Sequence, residues 1–460
     1  MDKTTETIAG FVESLTADQL PDETLQAAKA RIVDAVGCAI GGLNSPPAVI
    51  ARNLARATVG SNPSATAFGL DQPTSIELAV FANTVMVRYL DFNDMYFTPR
   101  GGGGHPSDLL ATVLAVGEAV GSSGREVLLA ATLAYEVNGA LSSAVWLRER
   151  GWDQGLNIVA ASALAAGKLL GLSETQLGNA LSLAVTPNVP VRQTRVGELS
   201  MWKGCATAGA ARNGVFAALL AQQGMTGPPE AYEGAAGIWA LVTGPFQLEL
   251  PARTDGFVIE HIATKTHPAE YNAQGPLDLI TSLRPQVSLD NIDRIDVDTY
   301  FLAYDEIGSQ IEKWDPQTRE TADHSIPYLL AVALVDGKVG QGSFSQTRIL
   351  DPDLRPLMNR IHVHHNEEYT ARFPGELNCA VSIRLQSGET IEAHQAYPLG
   401  HPQNPVSEAD LTEKFGKLAR QYVKPHEAKF CDEVLAELWS LETLEDVAPV
   451  VQSLGRLQGE

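Results

Sequence analysis

What this chain has little of narrows its possibilities first. Its four cysteines, Cys38, Cys205, Cys379 and Cys431, lie far apart and form no CxxC pair, so neither a disulfide framework nor a structural zinc site is expected. Basic charge is scarce: 33 Lys and Arg stand against 55 Asp and Glu, a formal charge of -22. Such a chain repels phosphate backbones and anionic lipid, which argues against nucleic acid or a membrane surface as partner. No apolar run is long enough to span a bilayer, and "MDKTTETIAG" lacks the charged segment leading into an apolar stretch that marks a signal peptide. A cytoplasmic protein is the expectation. Internal repeats and low-complexity segments are also missing.

What remains is an ordinary globular composition, 44% hydrophobic and 19% charged, over 460 residues. That length exceeds the usual single core, so two domains are expected. Up to about residue 250 the pattern is helical and rich in Ala and Leu. "PDETLQAAKARIVDAVGCAIGG" sets Leu25, Ala28, Ile32, Val36 and Ile40 on one face. "AASALAAGKLLGLSETQLGNALSLAV" reads as two helices broken at Gly171, with Ser173 and Gln176 at capping-box spacing. After about residue 290 the period changes to two in "RIDVDTY" and "RIHVHH", and "CAVSIRLQSGETIEAH" predicts a hairpin turning at Ser387-Gly388. Helical signal returns from Ser407. The expected architecture is a mostly α-helical large domain, residues 1–266 and 402–460, with a smaller α+β domain, 267–401, inserted into it.

The stretch "DFNDMYFTPRGGGGHPSD" holds the densest chemistry. Asp91 and Asp94 are three apart, which puts both carboxylates on one side if they lie on a helix. Four glycines then lead to His105, and Ser107 is placed to cap the following helix. The loop would bring an imidazole near two carboxylates, an arrangement suited to proton transfer. A solvated turn with a capping serine is the competing reading.

Three cations, Arg192, Arg195 and Lys203, sit in "VRQTRVGELSMWKG". In so acidic a chain they suit a small substrate with several carboxylates, or else are scattered surface charges. "KTHPAEYNAQ" presents Lys265, His267 and Glu270 at the start of an element, though a domain junction would look the same, and "DHSIPY" adds His324. In "HVHHNEE" His362 and His364 share a strand face, but no second cluster completes a ligand set, so an exposed edge strand is expected there and no metal.

In order and spacing these segments resemble the MmgE/PrpD family, best known for 2-methylcitrate dehydratases. The likeness rests on "DFND" followed by "GHPSD", on "AYEV" at 134–137 and "KLLGLS" at 168–173, on the Arg192/Arg195/Lys203 segment, and on "PAEY" at 268–271 and "DHSIPY". It implies a two-domain, usually dimeric fold, a large helical domain with the smaller inserted α+β domain as a lid, the active site between domains and no cofactor. Aconitase-type enzymes instead hold an iron-sulfur cluster on thiolates. By the same resemblance Asp91, Asp94, His105, Lys203 and Lys265 are expected to be catalytic. Arg192, Arg195, His267, Glu270 and His324 are expected to line the substrate site. The activity it implies is that of a cofactor-independent hydro-lyase acting on a small polycarboxylate.

The chain departs from the familiar dehydratases at Met95-Tyr96, where they have Thr-Trp, and at Asn272, where they tend to have histidine. The family also includes cis-aconitate decarboxylases and an iminodisuccinate epimerase. Decarboxylases tend to carry histidine where this chain has Glu270.

Overall fold

The structure, a computed structural model, describes residues 1–60, 62–101 and 103–457. It is mostly helical. The helix Asp22–Gly42 buries Leu25, Ala28, Ile32, Val36 and Ile40 as the spacing predicts. It packs against the helix Ile76–Tyr89 so closely that a Cβ on Gly42 would overlap the Met86 carbonyl oxygen. The small residues therefore act as close-contact sites between helices.

Helices Gly155–Leu169 and Glu174–Val185 flank a break at Gly171, whose φ of +69° only glycine adopts without strain. Ser173 and Gln176 form the expected capping box. One helix, Gly124–Ala144, is long and apolar enough to cross a membrane, yet 83% of its apolar window is buried among the other helices.

Buried apolar residues fall into two principal clusters. The larger is built from the helices of residues 8–262 together with residues 415–457. The second gathers residues 269–383 around a four-stranded sheet and the helix Ile326–Asp336. In that sheet Ile361–His365 forms the edge and pairs in parallel with Ile292–Thr299. Cys379–Leu385 and Thr390–Gln395 come next, antiparallel. Their hairpin turns through Gly388 at φ +89°, as the sequence predicts. On the edge strand His364 Nε2 lies 2.6 Å from Asp296 Oδ1, so that histidine is occupied by its neighbour strand.

Three connections join segments that lie far apart in the chain. Met95 and Ala263 exchange both backbone hydrogen bonds at 2.8 Å. The Glu270 N–H donates to the Asp323 carbonyl at 2.9 Å. From the helix Glu408–Tyr422, Lys414 Nζ donates to the carbonyls of Phe92 (2.7 Å) and Lys265 (3.0 Å) and pairs with Asp34 at 2.6 Å.

Candidate active site

The helix Ile76–Tyr89 stops just before Asp91, a non-glycine residue at φ +49°. Such backbone persists only where its surroundings over-determine it. Here three cations do so. Asp91 Oδ1 accepts from Arg88 and from Lys265 Nζ (2.6 Å), and Oδ2 accepts from Lys203 Nζ (2.9 Å). Lys265 also reaches the Asp91 carbonyl at 2.9 Å. Burial pushes this carboxyl up, but Arg88, Lys203 and Lys265 outweigh it and hold it well below the ordinary carboxylate range.

The expectation that Asp91 and Asp94 share one helix face is corrected. The helix ends before both, and the turn at Asp91 sends the two side chains to separate partners. Asp94 faces inward, its Oδ1 accepting from the Ser107 hydroxyl (2.6 Å) and N–H (3.1 Å), and its Oδ2 from Tyr135 (2.7 Å). Ser107 is thus engaged by Asp94 and makes no helix cap. It is the Asp94 backbone carbonyl, not a carboxylate, that orients His105: Nδ1 lies 2.6 Å from that oxygen. A carbonyl can only accept, so Nδ1 carries the hydrogen and Nε2 is the free base. Burial, then Arg88 and Lys265, hold His105 well below its ordinary value, so the ring is neutral.

The glycine loop delivers that ring. Gly103 and Gly104 pair with Phe97 and Tyr96 as a two-residue ladder, and a Cβ on Gly103 would overlap the Tyr96 carbonyl oxygen. Gly101, at φ +83°, packs under the Phe373 ring. Gly102 lies outside the described residues.

A cavity of about 420 Å³ opens over these groups. Of the sequence-predicted residues it brings together Asp91, His105, Arg192, Arg195, Lys203, Lys265, Glu270 and His324. Asp94 stands behind the wall. His267 is not on the wall either: its Nε2 is turned to Asp278 at 3.0 Å, a pairing within the second group of elements. Arg192, Arg195 and Lys203 converge as expected, but each faces an acid. Arg195 Nε meets Asp153 at 2.6 Å, Arg192 lies 3.8 Å from Glu306, and Lys203 lies 3.8 Å from Asp323 besides its bond to Asp91.

His324 Nδ1 lies 2.5 Å from Asp323 Oδ1, which fixes the hydrogen on Nδ1 and leaves Nε2 free. Burial, then Lys203, pull this imidazole down to about 4. Asp91, Asp323 and His324 bring ligand-type atoms within 4.8 Å of one another. However, Lys203 already shares both carboxylates, so the donor set is one that suits an ammonium.

Several wall residues escape the sequence reading. Arg88 lies in an otherwise apolar helical stretch, and Asp153 in the turn before the helix Gly155–Leu169. Arg148 pairs with Glu306, which the sequence offers only as one acid among many. Lys313 is buried and lines the cavity, yet among the described residues no carboxylate pairs with it; burial lowers its proton affinity. Altogether seven Arg and Lys side chains line the cavity against four Asp and Glu. In a chain of net charge -22 this is a local inversion of sign.

Residues 6–251 match the MmgE/PrpD N-terminal domain and residues 267–441 the MmgE/PrpD C-terminal domain. The chain belongs to the MmgE/PrpD family. It is 27% identical over 434 residues to a cis-aconitate decarboxylase of Mus musculus, covering 89% of this chain and 86% of that one. It is 28% identical over 431 residues to a 2-methylcitrate dehydratase of Cupriavidus necator, covering 85% of each. A 2-methylcitrate dehydratase of Escherichia coli (strain K12) is 26% identical over 428 residues, again with 85% of each covered. MmgE/PrpD relatives are thus dehydratases and other lyases.

Proposed function

We propose that this MmgE/PrpD protein is a cofactor-independent hydro-lyase for a small polycarboxylate, most simply 2-methylcitrate, giving 2-methyl-cis-aconitate and water. The observation that carries this reading is a cation-rich cavity with a neutral imidazole on its wall. A substrate with several carboxylates is drawn to the excess of Arg and Lys. His105 Nε2 takes the proton from the carbon beside a carboxylate. Lys203 and Lys265, fixed on Asp91, lower the energy of the negative charge that then builds on the carboxylate oxygens. These donors are set before substrate arrives, so no reorganisation is required as that charge develops.

A second reading is supported by specific observations. His105 and His324 both offer an unprotonated Nε2 to one cavity, as a two-base epimerase of an iminodisuccinate-like acid requires. The likeness to cis-aconitate decarboxylase supports a decarboxylase instead. Incubating the protein with 2-methylcitrate, citrate and cis-aconitate, and with amino- and imino-diacids, while following alkene absorbance, carbon dioxide and solvent deuterium separates the three. Alkene formation supports the dehydratase. Deuterium uptake without alkene replaces it with an epimerase, and gas release with a decarboxylase.

The elements around the second apolar cluster are proposed to close over the substrate as a lid. Exposed Val191, Val196, Met201 and Trp202 beside the basic segment support a homodimer in which a second copy covers them. Light scattering in solution tests that assembly. A cytoplasmic location completes the proposal.

A further inference from the structure

Removing a hydroxyl from carbon requires a proton for the leaving oxygen as well as a base for the C–H. Lys265 is poorly placed to supply it, because two of its three N–H bonds are directed at Asp91. Glu270 differs from every other acid on the cavity wall. Asp91 has three cationic partners, Asp153 has Arg195, and Glu306 has Arg148 and Arg192. Among the described residues no cation pairs with Glu270. Its oxygens accept instead from neutral donors of one residue, the Asn272 N–H (2.7 Å) and side-chain amide (3.0 Å). That amide is held from behind by Tyr300 and lies 3.5 Å from Glu306.

The geometry points to Glu270 as the proton donor to the departing hydroxyl, a role that rests on the dehydratase reading above. A part-buried carboxyl without a counter-cation favours its neutral form. The groups facing it act in the same direction on balance: burial, then Glu306, push it up to about 8, against Lys265, with Asp91 adding to the rise. It is therefore protonated at neutral pH. In the reaction the C–H bond breaks toward His105 Nε2 and its electron pair becomes the second bond of the alkene. The C–O bond breaks as the Glu270 proton joins the oxygen, so water leaves. Glu270 ends as carboxylate and His105 as imidazolium, and exchange with solvent resets both. The clamp on Glu270 comes from Asn272, the position where the familiar dehydratases tend to have histidine.

The test compares two substrates in the wild type and in Glu270→Gln, which keeps the acceptor oxygen and side-chain size but has no acidic proton. One substrate is the hydroxy acid that the wild type dehydrates. The other carries fluorine in place of the leaving hydroxyl, and fluoride departs without a proton. Glu270→Gln is expected to lose about 10²- to 10⁴-fold in turnover of the hydroxy acid and less than about 10-fold in fluoride release. Equal losses on both substrates would make Glu270 a binding or structural group and overturn the proposal, as would full activity on the hydroxy acid. If the wild type dehydrates no hydroxy acid, the dehydratase reading has failed. The infrared carbonyl band of a protonated carboxylic acid in the wild type at pH 7, lost in Glu270→Gln, then decides the donor separately. Its presence retains Glu270 as a proton donor in the cavity, and its absence removes it whatever the substrate. If Glu270→Gln does not fold, a shift of that band in Glu270→Asp decides the matter, because the raised carboxyls of Asp94, Asp108, Glu118 and Glu136 are untouched by that change.

Discussion

Lys203 Nζ lies 2.9 Å from Asp91 Oδ2 although 112 positions separate the two residues. With Lys265 and Arg88 on the same carboxylate, one buried anion organises three buried cations. Asp91→Asn tests this. Asparagine tolerates the left-handed backbone at this position, so the variant removes the charge and little else. Breaking a buried pair costs about 3–5 kcal/mol, and a loss of that size in urea unfolding is expected. An unchanged midpoint would mean the cations are compensated elsewhere.

His105→Ala should fold normally by circular dichroism and lose about 10²- to 10⁴-fold in turnover, the usual contribution of a general base. A folded variant turning over at the normal rate removes His105 from the mechanism.

Lys313 is the buried wall cation with no acid partner among the described residues, so its counter-charge is expected from the substrate. Lys313→Met should raise KM by about 10- to 100-fold with kcat nearly kept, the signature of an anchor used equally in ground and transition states. Thermal stability should hold or rise, because an uncompensated buried charge is gone. A fall in kcat with KM unchanged would place Lys313 at the reacting atoms instead.

The imidazoles of His105 and His324 should each take stability away on mild acidification. His324 binds a proton less readily in the fold, at about 4 against 6.5 when unfolded, and His105 shifts in the same direction. A depressed imidazole contributes stability fully present above pH 6.5 and lost as pH falls through about 4. The depressed carboxyls of Asp91 and Asp323 add a further loss only below their ordinary range. The raised carboxyls of Glu270, at about 8, and Asp108, at about 6, act in the opposite sense, so the imidazole share is read as a difference: between about pH 7 and 4 the melting temperature of His324→Gln should gain on that of the wild type. Parallel curves for the two proteins would contradict this assignment.

Gly103→Ala should lower both melting temperature and turnover, because its Cβ has only the Tyr96 carbonyl to meet and the ladder carrying His105 must shift. Wild-type activity in this variant would show that the ring is positioned by the Asp94 carbonyl alone.

Local signals were legible in the sequence. The break at Gly171, the capping box after it and the hairpin at Ser387-Gly388 each depend on residues a few positions apart. Eight charged or imidazole groups of the cavity wall were also legible, among them Asp91, His105, Lys203 and Lys265, which stand in recognisable motifs. What could not be read was pairing. Whether Arg195 is free or spent on Asp153 depends on a contact 42 positions away, and Lys313 in "QIEKWDP" has no periodicity to mark it as buried. Asp94 and His267 look like wall residues by motif, yet their hydrogen bonds turn them away. The sequence names the charged groups, and only the fold decides which of them remain unneutralised.

Lys414 holds the carbonyls of Phe92 and Lys265 from the helix Glu408–Tyr422, far along the chain from everything it steadies. During synthesis, each side chain on the cavity wall has emerged well before that helix. A growing chain thus carries the complete reactive set without the brace that aligns its backbone. A chain that ends before this helix leaves the Phe92 and Lys265 carbonyls without the ammonium that joins them.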